Sequence, residues 1–178
     1  MLSPEAQYPL EGGCTCRAIR YQIQTAPLFV HCCHCTWCQR ETGSAFVINI
    51  LVEADRVTPL QGNDDETEVI NTPSKSGLGQ QVSRCKKCQV AVWSTYGGAS
   101  PVVRFIRAGT LDQASFVSPD VHVYTSTKVP WLTLPANVPV MEEFYDFEQE
   151  WPKESLARRK AFMPLVEEYM RQRAGGGS

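Results

Sequence analysis

The 178-residue sequence predicts a mainly β domain organised around bound metal, followed by a C-terminal helical extension. Three observations carry that prediction. Short apolar or alternating runs, broken by turn residues, fill the first 145 positions. Eight cysteines fall into groups at 14–16, 32–38 and 85–88, a clustering that suits metal ligation better than disulfides. Residues 151–173 then switch to helical spacing. The expected boundaries are a zinc-binding β domain over 1–147, a helical extension over 148–173 and a flexible tail over 174–178.

Taken in order, Ile19, Tyr21 and Ile23 alternate along RAIRYQI and predict a half-buried strand directly after the first cysteine pair. AFVINILV (45–52) is continuously apolar and β-branched, which predicts a strand buried on both faces. QGNDDETE (61–68) reads as a polar turn, and VINT, QQVSRC and AVWSTY as further short strands. VVRFIRAG (102–109) alternates again, and HVYTST and WLTL complete the predicted set. In WPKESLARRKAFMPLVEEYMRQR, Leu156, Phe162, Leu165, Val166 and Tyr169 are the expected apolar contacts of a docking helix. Pro152 suits an early helix position, whereas Pro164 should kink the helix or start a second one. Arg158, Arg159 and Lys160 read as a solvated face.

Composition sets the function classes aside as much as it suggests them. Formal net charge is −2, so no basic footprint for nucleic acid is expected. No apolar run approaches the ~20 residues of a membrane helix, and MLSPEAQYPLEGG lacks the charge and apolar pattern of a signal peptide. A cytoplasmic location is the expectation. In a reducing compartment clustered cysteines bind metal or do chemistry, although bridges between clusters stay formally open.

The cysteine spacing then divides the thiols. Cys14 and Cys16 share a face if extended, and Cys85-Lys86-Lys87-Cys88 is a turn that presents two thiolates to one ion. Together they predict a closed, structural four-cysteine zinc site. In HCCHCTWCQR, neighbouring residues on extended backbone point to opposite faces, so Cys32 is expected to face the core while Cys33, Cys35 and Cys38 converge. A three-thiolate zinc keeps a coordination position for water or substrate. His31 or His34 could instead close it, His34 being the poorer candidate because it alternates away from Cys33 and Cys35.

The order GGCTCRAIRYQI, HCCHCTWCQRETGSAF, CKKC, RAGTLD and SPDVHVYTSTKVPW resembles the glutathione-dependent formaldehyde-activating enzyme and centromere protein V family over roughly residues 10–145. The resemblance implies an Mss4-like fold of β-sheets around two zinc ions. One is structural, on Cys14, Cys16, Cys85 and Cys88; the other is catalytic, on Cys33, Cys35 and Cys38. The family usually follows its last CxxC with Gly-Thr-Pro, where this chain reads Gln89-Val90-Ala91.

The implied activity is that of a carbon–sulfur lyase: joining a glutathione-like thiol to an aldehyde, or cleaving such an adduct. Arg40 could anchor a substrate carboxylate, Ser44 could hydrogen-bond an oxyanion, and His122 could serve as a general acid or as a donor behind the metal ligands. Trp37 and Trp131 could wall a pocket, and Lys86 and Lys87 could offset the charge of the four-cysteine site. Expected partners are a small thiol or aldehyde, with glutathione one option, and a second copy of the chain. A zinc enzyme of the same fold acting on a larger metabolite without glutathione, or a zinc-stabilised interaction module, are the alternatives.

Overall fold

A computed structural model describes residues 7–62, 66–99 and 101–175. The described residues form two sheets. The smaller contains β1 (Leu10–Gly13), β2 (Arg20–Ile23) and β5 (Val57–Gln61), in the order β1-β2-β5 and wholly antiparallel. The larger is built from β3 (Phe29–Cys33), β4 (Val47–Glu53), β6 (Thr67–Thr72), β7 (Gln80–Cys85), β8 (Ala91–Tyr96), β9 (Val103–Arg107) and β10 (Val121–Val123). Its order is β10-β3-β4-β9-β8-β7-β6, with β10 parallel to β3 and the remaining pairs antiparallel. A short helix, α1 (Thr36–Thr42), follows β3; α2 (Phe147–Glu150) and α3 (Lys153–Gly175) close the chain. The expectation of a mainly β protein with a C-terminal helix describes this architecture.

The two faces of the large sheet bury different cores. Val30, Ile50, Val52 and Ile106 join Ile19, Tyr21 and Ile23 between the sheets, with Cys14 and Cys85 at the edge of that cluster. Phe29, Leu51, Val103 and Val121 face the other way and enclose Cys33, Cys35, Cys38 and Trp151. The alternation along β3 and β4 thus assigns successive residues to different cores. That division explains why 45–52 reads as an apolar run interrupted by Asn49 alone: β4 has no wet face. Gly13 lets the chain turn back sharply, because a Cβ there would collide with the Ile19 carbonyl.

Several local expectations change. WLTL (131–134) forms no strand. Prolines at 130 and 135 remove donors on both sides, Trp131 is 73% exposed, and the Leu132 carbonyl is taken by Lys128 Nζ at 2.7 Å. HVYTST is a strand only to Val123, since Tyr124 adopts a left-handed φ of 56° and residues 125–127 form a 3-10 turn. The turn expected at 61–68 lies partly outside the described residues.

Pro164 neither ends α3 nor starts a new helix. Both it and Lys160, whose carbonyl it leaves without an intrahelical partner, are exposed to water. Leu165 is 62% exposed, whereas Leu156 and Phe162 pack on the second core. Arg158 is not on a solvated face. It clamps α3 to β4 through Glu53, at 2.8 Å and 2.5 Å, and donates to the Ala26 carbonyl at 2.8 Å. No helix among the described residues is long and apolar enough to cross a membrane.

Candidate metal centre

The first cysteine group assembles from two turns rather than from a strand. Cys14 and Cys16 lie beyond the end of β1, where Arg17 N–H bonds the Cys14 carbonyl and Arg17 takes a φ of 62°. Cys85 ends β7; the following turn returns Gln89 N–H to the Cys85 carbonyl, with Gln89 at φ 61°. Each pair is therefore presented by a tight reversal with one left-handed residue behind it. Gln89 stands where the resembled family has Gly, so a side chain occupies a backbone conformation that glycine adopts freely.

These four sulfurs lie within 4.8 Å of one another. Cys14–Cys16 and Cys16–Cys85 separations of 3.5 Å and 3.6 Å approach the ~3.8 Å edge of a tetrahedron with ~2.3 Å metal–sulfur bonds. They are far too long for disulfides, and all eight cysteines are free thiols. The Ile19 N–H points at Cys14 Sγ at 3.3 Å, which suits a thiolate.

The second group is buried. Cys33 is the last residue of β3, Cys35 caps α1 by accepting from Cys38 N–H at 3.4 Å, and Cys38 sits in the first turn of that helix. The strand-to-helix corner brings the three sulfurs together, again within 4.8 Å. Among the described residues this group has three members. Hydrogen bonds from Cys33 and Cys38 pull the Cys35 thiol down to about 2, while the bonds to Cys35 and Cys38, together with burial, push Cys33 up. Without a cation the cluster cannot ionise fully; a bound metal ion would relieve that repulsion. The donor set fits zinc.

Helix α1 is braced from below. Glu41 receives Arg84 at 2.7 Å and Arg107 at 2.9 Å, and Arg107 also donates to Asn49 Oδ1. The pairing fixes α1, and with it Cys35 and Cys38, against β7 and β9.

Cys32 and His34 point away from the thiols of Cys33 and Cys35. They form a third group with His122: Cys32 Sγ is 3.5 Å from His34 Nε2, which is 2.9 Å from His122 Nδ1. The parallel pairing of β10 with β3 sets His122 opposite Cys32. Thr127 and Gln39 bond the His34 carbonyl at 3.1 Å and 2.7 Å, so this cluster anchors the backbone between Cys33 and Cys35.

A cavity of about 440 Å³ opens on the second group and is lined by Cys33, Cys35 and Cys38. Trp37 lines it as well; Trp131, Arg40, Ser44 and His122 do not, and Arg40 and Ser44 are exposed. Lys87 pairs with Glu66 at 3.7 Å. The residues that sequence reasoning passed over come from distant parts of the chain: Asn49, Gln80, Tyr96 and Tyr124 all face the cavity. His31 lines it too, with burial pushing its pKa down to about 3. Trp151 Nε1–H, a donor only, bonds the Tyr145 hydroxyl at 2.7 Å, and that hydroxyl is hydrogen-bonded to His31 Nε2 at 2.5 Å. His31 Nε2 is therefore occupied. No spacing rule links these residues.

No curated protein matches the chain. Among solved structures, the crystal structure of a Rhodobacter sphaeroides protein, a structural-genomics target, is similar at a TM-score of 0.45 and 15% identity, over 62% of this chain and 92% of that one. The family model for glutathione-dependent formaldehyde-activating enzyme matches residues 9–127, well over half the sequence, and spans all three cysteine groups. The chain belongs to that family.

Proposed function

We propose that this protein is a zinc-dependent carbon–sulfur lyase that forms or cleaves thiol–aldehyde adducts at Cys33, Cys35 and Cys38. The observation that carries the reading is the position of three buried cysteines, without a fourth member among the described residues, on the wall of a cavity large enough for a small ligand. Zinc held there would favour a substrate sulfur as thiolate and accept it as a leaving group.

The chain's own residues supply the rest. Asn49, whose amide oxygen is engaged by Arg107, offers its NH₂ group to substrate oxygen. Tyr124 stays protonated, because burial and then the Cys33 and Cys35 charges push its pKa to about 12, and it can donate to the same oxygen. Apolar walls exclude water, which strengthens both bonds. His122 acts through His34 as a positioning residue for the cysteine loop. Arg40 and Ser44, outside the cavity lining, serve only a substrate long enough to reach the surface beside α1. The four-cysteine group is the structural site.

The test is the exchange rate between formaldehyde plus a thiol and their adduct, measured both with glutathione and with a small uncharged thiol and followed by NMR with zinc-loaded protein. Wild type should accelerate exchange. Cys38→Ser should stay folded, lose one zinc and fall to the uncatalysed rate, whereas Cys88→Ser should lose folding cooperativity. Equal loss of stability in both variants would sink the division of labour.

A further inference from the structure

The cavity beside the three thiols differs from what an anionic peptide thiol requires. Glutathione carries two carboxylates, and buried recognition of carboxylate calls for Arg or Lys partners. Among the described residues Lys75 is the one cation in the lining, and it is paired with Glu143 at 3.4 Å. The walls are instead aromatic and aliphatic: Tyr96, Phe105, Phe144, Phe147, Leu78 and Trp37. Three of these are large apolar side chains left open to solvent, with Leu78 56%, Phe144 44% and Trp37 40% exposed at the rim. Exposed apolar side chains that converge on a cavity mark a ligand site.

Two of the walls come from outside the family match. Phe144 and Phe147 follow residue 127, where the family model ends. They are held in place by a built support. Phe144 stacks on Tyr145, with centroids 4.8 Å apart and planes 14° apart. Tyr145 is fixed through His31 and Trp151, and Phe147 packs edge-on against Trp151 at 5.0 Å and lies under Arg159 at 4.7 Å. The segment that leads into α3 thus shapes the pocket as well as covering the core.

The cavity also holds one unmet polar demand. Gln80 is 4% exposed, and its Oε1 is buried without a hydrogen-bond partner. An orphaned buried acceptor costs about 1–3 kcal/mol, and a ligand hydroxyl would satisfy it.

We infer that the adduct handled here is an uncharged, ring-bearing hemithioacetal, whose ring packs on Phe144 and Phe147 and whose hydroxyl donates to Gln80. The inference rests on the thiol–aldehyde reading above and narrows its substrate class. The reaction balances without an oxidant. The carbon–sulfur bond breaks with its electron pair going to sulfur, the hydroxyl loses its proton as the carbonyl forms, and the sulfur leaves as a thiol once it regains a proton.

The test is calorimetric titration of zinc-loaded full-length protein with phenylmethanethiol and, separately, with glutathione. Phenylmethanethiol should bind at least tenfold more tightly, and Phe144→Ala and Phe147→Ala should each weaken it by about tenfold, the upper range for one aromatic contact. Phe147→Leu, which keeps apolar volume, controls for folding and should lose less. Glutathione binding as tightly as phenylmethanethiol would overturn the substrate class; if both thiols still needed Cys38, the lyase reading would survive. Phenylmethanethiol binding that is unchanged in both alanine variants would also overturn it. Binding that depends on Phe144 but not on Cys38 would support the apolar site while removing the metal-held sulfur from the scheme.

Discussion

Glu41→Gln removes the charge that joins α1 to two strands, and its cost can be worked from the burial of its partners. The Glu41 side chain is 6% exposed and that of Arg107 is 7%, whereas that of Arg84 is 25%. Losing the carboxylate leaves Arg107 buried with Asn49 as its remaining bonded partner. Breaking a buried pair from one side costs about 3–5 kcal/mol, because the surviving charge stays desolvated. Arg84 can rehydrate and adds little, as exposed pairs do. For a chain of this size that cost corresponds to a fall of about 6–20 °C in Tm. The assay is urea unfolding of zinc-loaded protein with the m-value compared between variants. Because α1 carries Cys35 and Cys38, Glu41→Gln should also release metal faster to a competing chelator. Pairing it with Arg107→Met should recover part of the loss, since an apolar replacement removes the stranded charge. A single-variant cost below about 1 kcal/mol, the value of a surface pair, would refute the reasoning.

Other outcomes follow from local geometry. Gln89→Gly relieves a side chain held at φ 61° and should raise stability by about 1 kcal/mol, read as a higher urea midpoint with unchanged m. His122→Ala breaks the 2.9 Å bond to His34 and should weaken metal retention at the inner cysteines by roughly tenfold in chelator competition, as loss of supporting partners does; unchanged retention would remove its positioning role. Leu165→Gln changes an exposed site on α3 and should fall within about 0.5 kcal/mol of wild type.

Legibility varied with the range of the interactions involved. The strand at 47–53 was readable because both its faces are buried, which leaves an almost wholly apolar signature. Cys33, Cys35 and Cys38 were readable because their convergence is local, needing only one strand end and one helix cap. The strands at 10–13, 29–33 and 57–61 were not picked out. Two glycines lie in the first, the ligand cluster runs into the second, and the third carries four exposed residues of five and a proline. The cavity was out of reach for a different reason. Gln80, Tyr96, Phe105 and Phe144 lie on four separate stretches of chain, and only the order of strands in the sheet brings them together. Arg158 misled because a charge on a helix is usually solvated, and nothing nearby in sequence announces Glu53.

The contrast between the two cysteine groups has an electrostatic logic. Four thiolates on a divalent ion leave two negative charges, and that group sits partly in water, with Cys16 exposed and Cys88 half-buried. Solvent can screen it. Three thiolates leave one negative charge, yet all three are buried, so its compensation must come from the protein. Glu41, Arg84 and Arg107 together carry one net positive charge, and they sit beneath the helix that bears Cys35 and Cys38. The bond to Cys33 lowers the Cys38 pKa, the bond to Cys35 and burial raise it on balance, and the Arg107 charge is a smaller influence toward the thiolate. On this view the second arginine is more than a spare partner for Glu41. A single Arg–Glu pair would brace α1 equally well but would be neutral, and the inner centre would then lack a counter-charge. Arg84→Met should accordingly cost little in global stability, because Arg84 is the more exposed partner, while lowering metal retention at Cys33, Cys35 and Cys38. Chelator competition is the check: faster metal loss from Arg84→Met than from wild type is expected, and an unchanged rate would remove the counter-charge role.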